Sequence, residues 1–268
     1  MTQEVEVELG GRSQKRKRKD KTTITEGMVK YHHYPTPSQF VRHAIRYFMS
    51  EWPLFFQRAM WEHNLRILDH SCGTGVWNAV GMELIPTSHR VNVEYQIATP
   101  IRPETAHEWY FGQRFQDYAA QYAKLHRADS RAHPLYDVVW GNFPFKEGEE
   151  FIHSAGEIMR MNGYMFNLAP INFLSTQDRT KSLYREWRPI RVIHIPKRIS
   201  FTKDGGTDEK EYVIIVHQKG VNPRFAQEDW WFDWDMDAPD LPEDAVFNGV
   251  GAPTDQESFL DLWQGVTA

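Results

Sequence analysis

The segment Asp69-His70-Ser71-Cys72-Gly73-Thr74-Gly75 follows the apolar run Leu65–Leu68 and puts one acid and two glycines into a single turn. Glycines at such a turn let the main chain approach a bound group that a β-carbon would hold off. Glu94 ends the next apolar run, 25 residues beyond Asp69, where a carboxylate can accept hydrogen bonds from both hydroxyls of a ribose. A plain tight turn uses the same glycines; the paired acid is what favours a nucleoside. The segment Gly141-Asn142-Phe143-Pro144-Phe145 follows the apolar run Tyr136–Trp140. The side-chain oxygen of Asn142 can accept one hydrogen bond from an amine, and the backbone carbonyl of Phe143 a second. Pro144 restricts the turn, and Phe145 offers a ring on which a planar base can stack. The competing reading is an asparagine-capped turn whose two aromatics plug the core.

These segments need a scaffold that brings them to one place. Thr36-Pro37-Ser38-Gln39 has the N-cap, first-turn proline and capping-box glutamine of a helix start. Phe40, Val41, Ala44, Ile45, Phe48 and Trp52 recur at helical spacing until Pro53. Apolar runs at 65–69, 91–95, 136–140, 164–169, 191–195 and 212–217 read as strands, with helices around 78–84, 149–161 and 177–187 between them. Strands alternating with helices predict an α/β, doubly wound, mostly parallel sheet. The last two strands are joined by the Gly205-Gly206 loop without a helix, so one of them runs antiparallel at the sheet edge. In an open parallel sheet, ligands lie beyond the carboxyl ends of the strands, where both segments fall.

Composition narrows the function. The chain is 41% hydrophobic and 25% charged, with no stretch approaching the roughly 18 uncharged apolar residues of a membrane helix. Glu4, Glu6 and Glu8 stand where a secretory signal has a basic start and apolar core. Cys72 is the one cysteine, which excludes an intramolecular disulfide and fits a reducing, cytoplasmic setting. Neither His32-His33 nor the scattered carboxylates form a metal-ligand pattern, so no metal is expected. No G-x-G-x-x-G, no Gly-Lys-Ser/Thr and no G-x-S-x-G occurs, which disfavours a dinucleotide, a triphosphate and a serine hydrolase. The net charge of −5 is unevenly spread: residues 221–268 hold eleven acids and one base, leaving 30 bases and 25 acids in residues 1–220. A mildly basic body permits a polyanionic partner. Residues 1–30, with Lys15-Arg16-Lys17-Arg18-Lys19, read as a disordered basic arm. Residues 197–211 form a basic, glycine-bearing loop in which Lys197, Arg198 and Lys203 are candidates for contact with nucleic acid. Residues 221–268 read as an acidic tail whose Trp230-Trp231-Phe232-Asp233-Trp234 packs on the main domain.

Taken jointly, Thr36-Pro37, Asp69 to Gly75 and Asn142 to Phe145 resemble the class I S-adenosylmethionine-dependent methyltransferases that act on adenine N6, in the motif order of the gamma group of DNA adenine methyltransferases. The resemblance spans roughly residues 31–218, and the domain is taken as 31–220. It implies a seven-stranded Rossmann-like methyltransferase fold, S-adenosylmethionine as cofactor and DNA as substrate, with RNA possible and no membrane partner. Carried over, Thr36 and Pro37 lie at the methionine end of the cofactor; Asp69, Ser71, Cys72, Gly73 and Gly75 shape its pocket; and Glu94 holds its ribose. Asp117-Tyr118 resembles the acid–aromatic pair that grips the cofactor's adenine. Asn142 and the Phe143 carbonyl hold the target amine, Pro144 fixes the turn and Phe145 stacks on the base. His70 replaces the family's proline after the first acid, and Phe143 replaces the first proline of N-P-P-F, where the needed group is a backbone carbonyl. Ribosomal RNA adenine dimethylases have a similar N-[IL]-P-[YF]. Rival readings are an RNA adenine or guanine methyltransferase, a protein-glutamine methyltransferase, or a non-catalytic nucleic-acid-binding subunit of the same fold. Cys72 sits in the cofactor turn, unlike the Pro-Cys loop of cytosine C5 enzymes, and is read as a small packing residue.

Overall fold

Short apolar strands alternate with amphipathic helices along the chain, and each helix returns the backbone to start the next strand in the same direction. The computed structural model describes residues 36–61, 65–95, 106–195, 199, 201 and 210–230. In chain order the elements are α1 (Ser38–Glu51), α2 (Pro53–Trp61), β1 (Arg66–Asp69), α3 (Val76–Leu84), β2 (His89–Glu94), β3 (Glu108–Phe111), α4 (Phe115–Ala128), β4 (Tyr136–Gly141), α5 (Gly148–Ile158) and β5 (Met159–Pro170). A 3-10 turn (Ile171–Ser175), α6 (Gln177–Lys181), α7 (Leu183–Glu186), β6 (Arg191–Ile195), β7 (Tyr212–Gln218) and β8 (Gln227–Trp230) complete them.

The strands form one eight-stranded sheet in the order β3-β2-β1-β4-β5-β7-β6-β8. β7 is antiparallel to both β5 and β6, and the other pairings are parallel. The sheet is the expected mostly parallel α/β sheet, with eight strands instead of seven and its antiparallel strand held between β5 and β6 near one end. Neighbouring residues of a strand face opposite sides, as a period of two requires. Ile67, Val138, Phe166 and Ile214 pack under α1, α2 and α3. Leu68, Val139, Met165 and Ile215 pack under α4, α5 and α7. Both faces are covered, which is why these strands read as continuous apolar runs.

A polar cluster fixes α3 to the sheet at full burial. The Asn78 amide donates to Val91 O at 2.9 Å and to Asn92 Oδ1 at 2.6 Å, while Trp140 Nε1 donates to Asn78 Oδ1 at 3.0 Å. Satisfied polar groups in a low-dielectric interior specify one register, because any slip leaves them unpaired.

Several boundaries differ from the sequence reading. β3 was not anticipated; its run Trp109-Tyr110-Phe111 is only three residues long, and all four of its residues are only partly buried. β8 lies in the segment read as tail. Its acids dock on β6 and α1: Asp229 on Arg191 Nε at 3.0 Å, Glu228 on His194 Nε2 at 3.0 Å, and Tyr47 OH donates to Asp229 Oδ2 at 3.4 Å. The helix expected over 177–187 is two short helices broken at Ser182 (φ −103°, ψ −84°), which turns Leu183 and Tyr184 into the core. α1 starts at Ser38 with Pro37 at its cap position and no side-chain cap bond, so the expected capping box does not form. The arm 1–30, Lys197, Arg198 and Lys203, and the tail beyond 230 lie outside the described residues.

α5 approaches the end of α7 so closely that a β-carbon on Gly156 would lie 2.1 Å from Trp187 Cζ2. Gly156→Ala should therefore cost about 2 kcal/mol despite its better helix propensity, because the overpacking exceeds that gain. Thermal melts should show a midpoint lower by roughly 4–8 °C; an unchanged midpoint would mean that Trp187 swings clear.

Candidate functional site

From β1 the chain moves outward to β2 and β3, then crosses back to β4 and β5 on the other side of β1. The order reverses between β1 and β4, the place where an open parallel sheet forms a ligand crevice. Asp69 and Trp140 are register partners, so the turns 70–75 and 142–145 leave the sheet side by side. The His70 amide donating to Trp140 O at 3.3 Å extends the ladder by one residue.

The first turn is built from main-chain bonds. Gly73 and Gly75 have φ of 54° and 82°, a left-handed region that favours glycine. The Gly75 amide donates to Cys72 O at 2.7 Å, and the Cys72 amide to Val93 O at 3.2 Å. The Gly73 amide donates to Glu94 Oε2 at 2.6 Å, which pins the carboxylate that ends β2 onto the turn. Glu94 is nearly buried. Asp69 is fully buried; its Oδ1 accepts the Ser71 amide at 3.4 Å, and its Oδ2 is buried with no hydrogen-bond partner among the described residues. Burial drives the Asp69 carboxyl well above the ordinary carboxylate range; the Ser71 amide draws it back and nearby Glu94 adds to the rise. Cys72 is buried, and burial first, then the charges of Asp69 and Glu94, hold its thiol protonated. A protonated, enclosed thiol is a packing group and no nucleophile. An orphaned acceptor and a glycine-lined main chain backed by Glu94 fit a ligand that brings N–H or O–H donors, as an amino acid joined to a ribose does.

The second turn starts at Gly141, with φ of +146°. A β-carbon there would lie 2.8 Å from His70 Cε1 and 3.0 Å from Asp69 Oδ1, so the close approach of the two turns requires glycine. Asn142 is half-buried. The Phe143 ring is 1% exposed and packs with the rings of Phe173 at 5.3 Å and Phe151 at 6.2 Å, so this aromatic plugs the core. Pro144 O accepts the Glu147 amide at 2.9 Å and closes the turn toward α5. Phe145 stays partly exposed, near the rings of Phe143 and Tyr212 and with Lys210 Nζ 5.7 Å from its centroid. The two aromatics divide the roles that the sequence left open: one in the core, one at the mouth.

Beneath both turns lies His70, 2% exposed. Its Nε2 is 2.8 Å from Asn167 Oδ1, and its Nδ1 is 2.9 Å from Ser71 Oγ. Burial lowers its pKa to about 4, so the ring is neutral near pH 7. An amide oxygen can only accept, so Nε2 carries the proton and Nδ1 accepts from the Ser71 hydroxyl. The Asn167 Nδ2 is buried with no hydrogen-bond partner among the described residues, at a typical cost of about 1–3 kcal/mol.

The remaining candidates divide. Phe40 in the first turn of α1 meets Trp77 in the first turn of α3 (ring centroids 6.4 Å apart), which places buried Thr36 and partly exposed Pro37 at the helix end nearest the glycine turn. Asp117 is exposed in the first turn of α4. Tyr118 does not join the site: it is 3% exposed, and its hydroxyl is bonded to that of Tyr136 within the core. Two residues beside the turns were missed: Asn167, a lone polar residue in the apolar run 164–169, which was its signal, and Lys210, which lies within the loop 197–211 read as basic but was not singled out.

No protein-family model and no curated relative matches the sequence. Solved structures do match. A protein of Listeria monocytogenes assigned to the class I S-adenosylmethionine-dependent methyltransferases superposes with a TM-score of 0.54 at 13% identity, over 88% of this chain and 72% of that one. The M protein of the type I restriction enzyme EcoKI gives 0.47 at 12% identity over 70% and 44% of the two chains. The type IIG restriction endonuclease BpuSI gives 0.49 at 12% identity over 72% and 26%. The chain has the fold of the class I S-adenosylmethionine-dependent methyltransferases.

Proposed function

We propose that the chain transfers a methyl group from S-adenosylmethionine to the exocyclic N6 of adenine in DNA. The observation that carries this reading is the pairing, across the β1–β4 reversal, of a glycine turn backed by Glu94 with the turn Asn142-Phe143-Pro144-Phe145. Gly73, Gly75 and Glu94 would hold the cofactor, with Thr36 and Pro37 at its methionine end and Ser71 and Cys72 shaping the turn. The cofactor, when bound, supplies an electrophilic methyl on a sulfonium.

Adenine N6 shares its lone pair with the ring and is a poor nucleophile. Two acceptors, Asn142 Oδ1 and the Phe143 carbonyl, would draw the amine toward tetrahedral geometry and aim its lone pair at the methyl. That is positioning combined with electrostatics that act on the transition state, and it needs neither a covalent intermediate nor a metal. In a duplex the adenine must leave the stack at a cost of a few kcal/mol, partly recovered on the ring of Phe145. The partly exposed Phe145, beside the cation of Lys210, supports this reading over a purely structural turn. The motif order favours DNA over RNA. Lys197, Arg198 and Lys203 remain proposed contacts to its backbone. The chain has no described helix long and apolar enough to cross a membrane.

Incubation with methyl-labelled cofactor and unmethylated DNA, RNA or protein, followed by digestion to monomers, tests the reading: label is expected on N6-methyladenine from DNA. Label on glutamine or on an RNA base alone would replace it. Asn142→Ala should lower kcat by about 10²–10³, the range for removal of one transition-state partner, with cofactor affinity within a few fold. Glu94→Ala should do the reverse, weakening cofactor binding about tenfold or more in calorimetry and leaving kcat at saturating cofactor nearly intact.

A further inference from the structure

We infer that His70 is a positioning residue whose imidazole locks the turn bearing Asn142 to the turn 69–75 through Asn167. The inference deepens the methyl-transfer reading and rests on it for its kinetic consequence.

The geometry is three-sided. Through Nδ1 the ring holds Ser71, inside the proposed cofactor turn. Through Nε2 it holds Asn167, the residue of β5 in register with Gly141. Its face lies 6.0 Å from the Phe143 ring at an interplanar angle of 34°, and its edges meet Phe115 and Phe151 at 5.5 and 5.3 Å. Gly141 closes the gap: with a β-carbon 2.8 Å from Cε1, the second turn could not sit on the ring at all. One side chain thus touches both turns and the strand beside them. A methyl transfer between groups held by separate turns depends on their spacing, and a displacement of about 1 Å can cost 10²-fold in rate.

A proline at this position would stiffen the first turn but could make neither side-chain bond. The chain has replaced local stiffness with a cross-link. With the ring neutral near pH 7, the link is a pair of ordinary hydrogen bonds.

The test uses the full chain and two readouts. Amide exchange of the ligand-free protein should quicken about tenfold or more over residues 141–145 in His70→Phe, which keeps the aromatic bulk and loses both bonds, with α3 unchanged. In the same variant kcat should fall about 30- to 100-fold, with the cofactor dissociation constant within threefold of the starting protein. His70→Gln, which retains an N–H near Nε2, should recover most of both. Asn167→Ala should reproduce the His70→Phe effect, and the double variant should be no worse than either single one, as expected of one shared contact. Unchanged exchange over 141–145, additive single effects, or a parallel loss of cofactor binding and kcat would overturn the assignment. If His70→Phe does not fold, Asn167→Ala alone decides by the same readings. A starting protein that methylates no DNA would sink the methyl-transfer reading, while the exchange measurement would still decide the role of His70.

Discussion

In the proposed reaction a methyl donor and a methyl acceptor must be held at van der Waals distance, and their proposed holders are two turns that end neighbouring parallel strands. The reversal of strand order between β1 and β4 makes them neighbours. The register of Asp69 with Trp140 sets their relative height, and the absence of a side chain at Gly141 sets how closely they approach. The rest of the fold preserves that spacing. Asn78 ties α3 to β2 and β4, two aromatic-rich layers clamp the sheet from both faces, and α1 brings its start to the start of α3.

The interior near this junction holds several buried polar groups. Asp69, His70 and Asn167 are all essentially without solvent contact, and two of them keep a buried polar atom unpaired. Such groups cost stability, and proteins concentrate them where function requires them. Further along the same sheet Ile214, Ile215 and Val216 on β7 are fully buried, with His217 as a buried polar exception.

Much of this was legible in the sequence because central strands covered on both faces appear as unbroken apolar runs; β1, β4, β6 and β7 were read nearly to their observed ends. β3 and β8 were not. β3 is half-exposed throughout and offers only three aromatics in a row, and β8 is a polar segment held by Arg191 and His194, so neither carries the longer apolar run of a central strand. The positions of the glycine turn and of Asn142–Phe145 were readable because strand ends can be counted. The division of labour between Phe143 and Phe145 was not, since it depends on where α5 and the 3-10 turn leave room for a ring. Tyr118 illustrates the same limit: pattern placed it beside an acid, but helical phase turned it inward, toward Tyr136.

The acidic four-residue strand β8 also decides how the sheet stops. Without it β6 would offer a bare row of peptide N–H and C=O groups, a template for any passing extended segment. A short strand that carries Glu228 and Asp229 satisfies that row on one side and presents a poor surface for further growth on the other. That edge is thereby a poor template for pairing with a second copy.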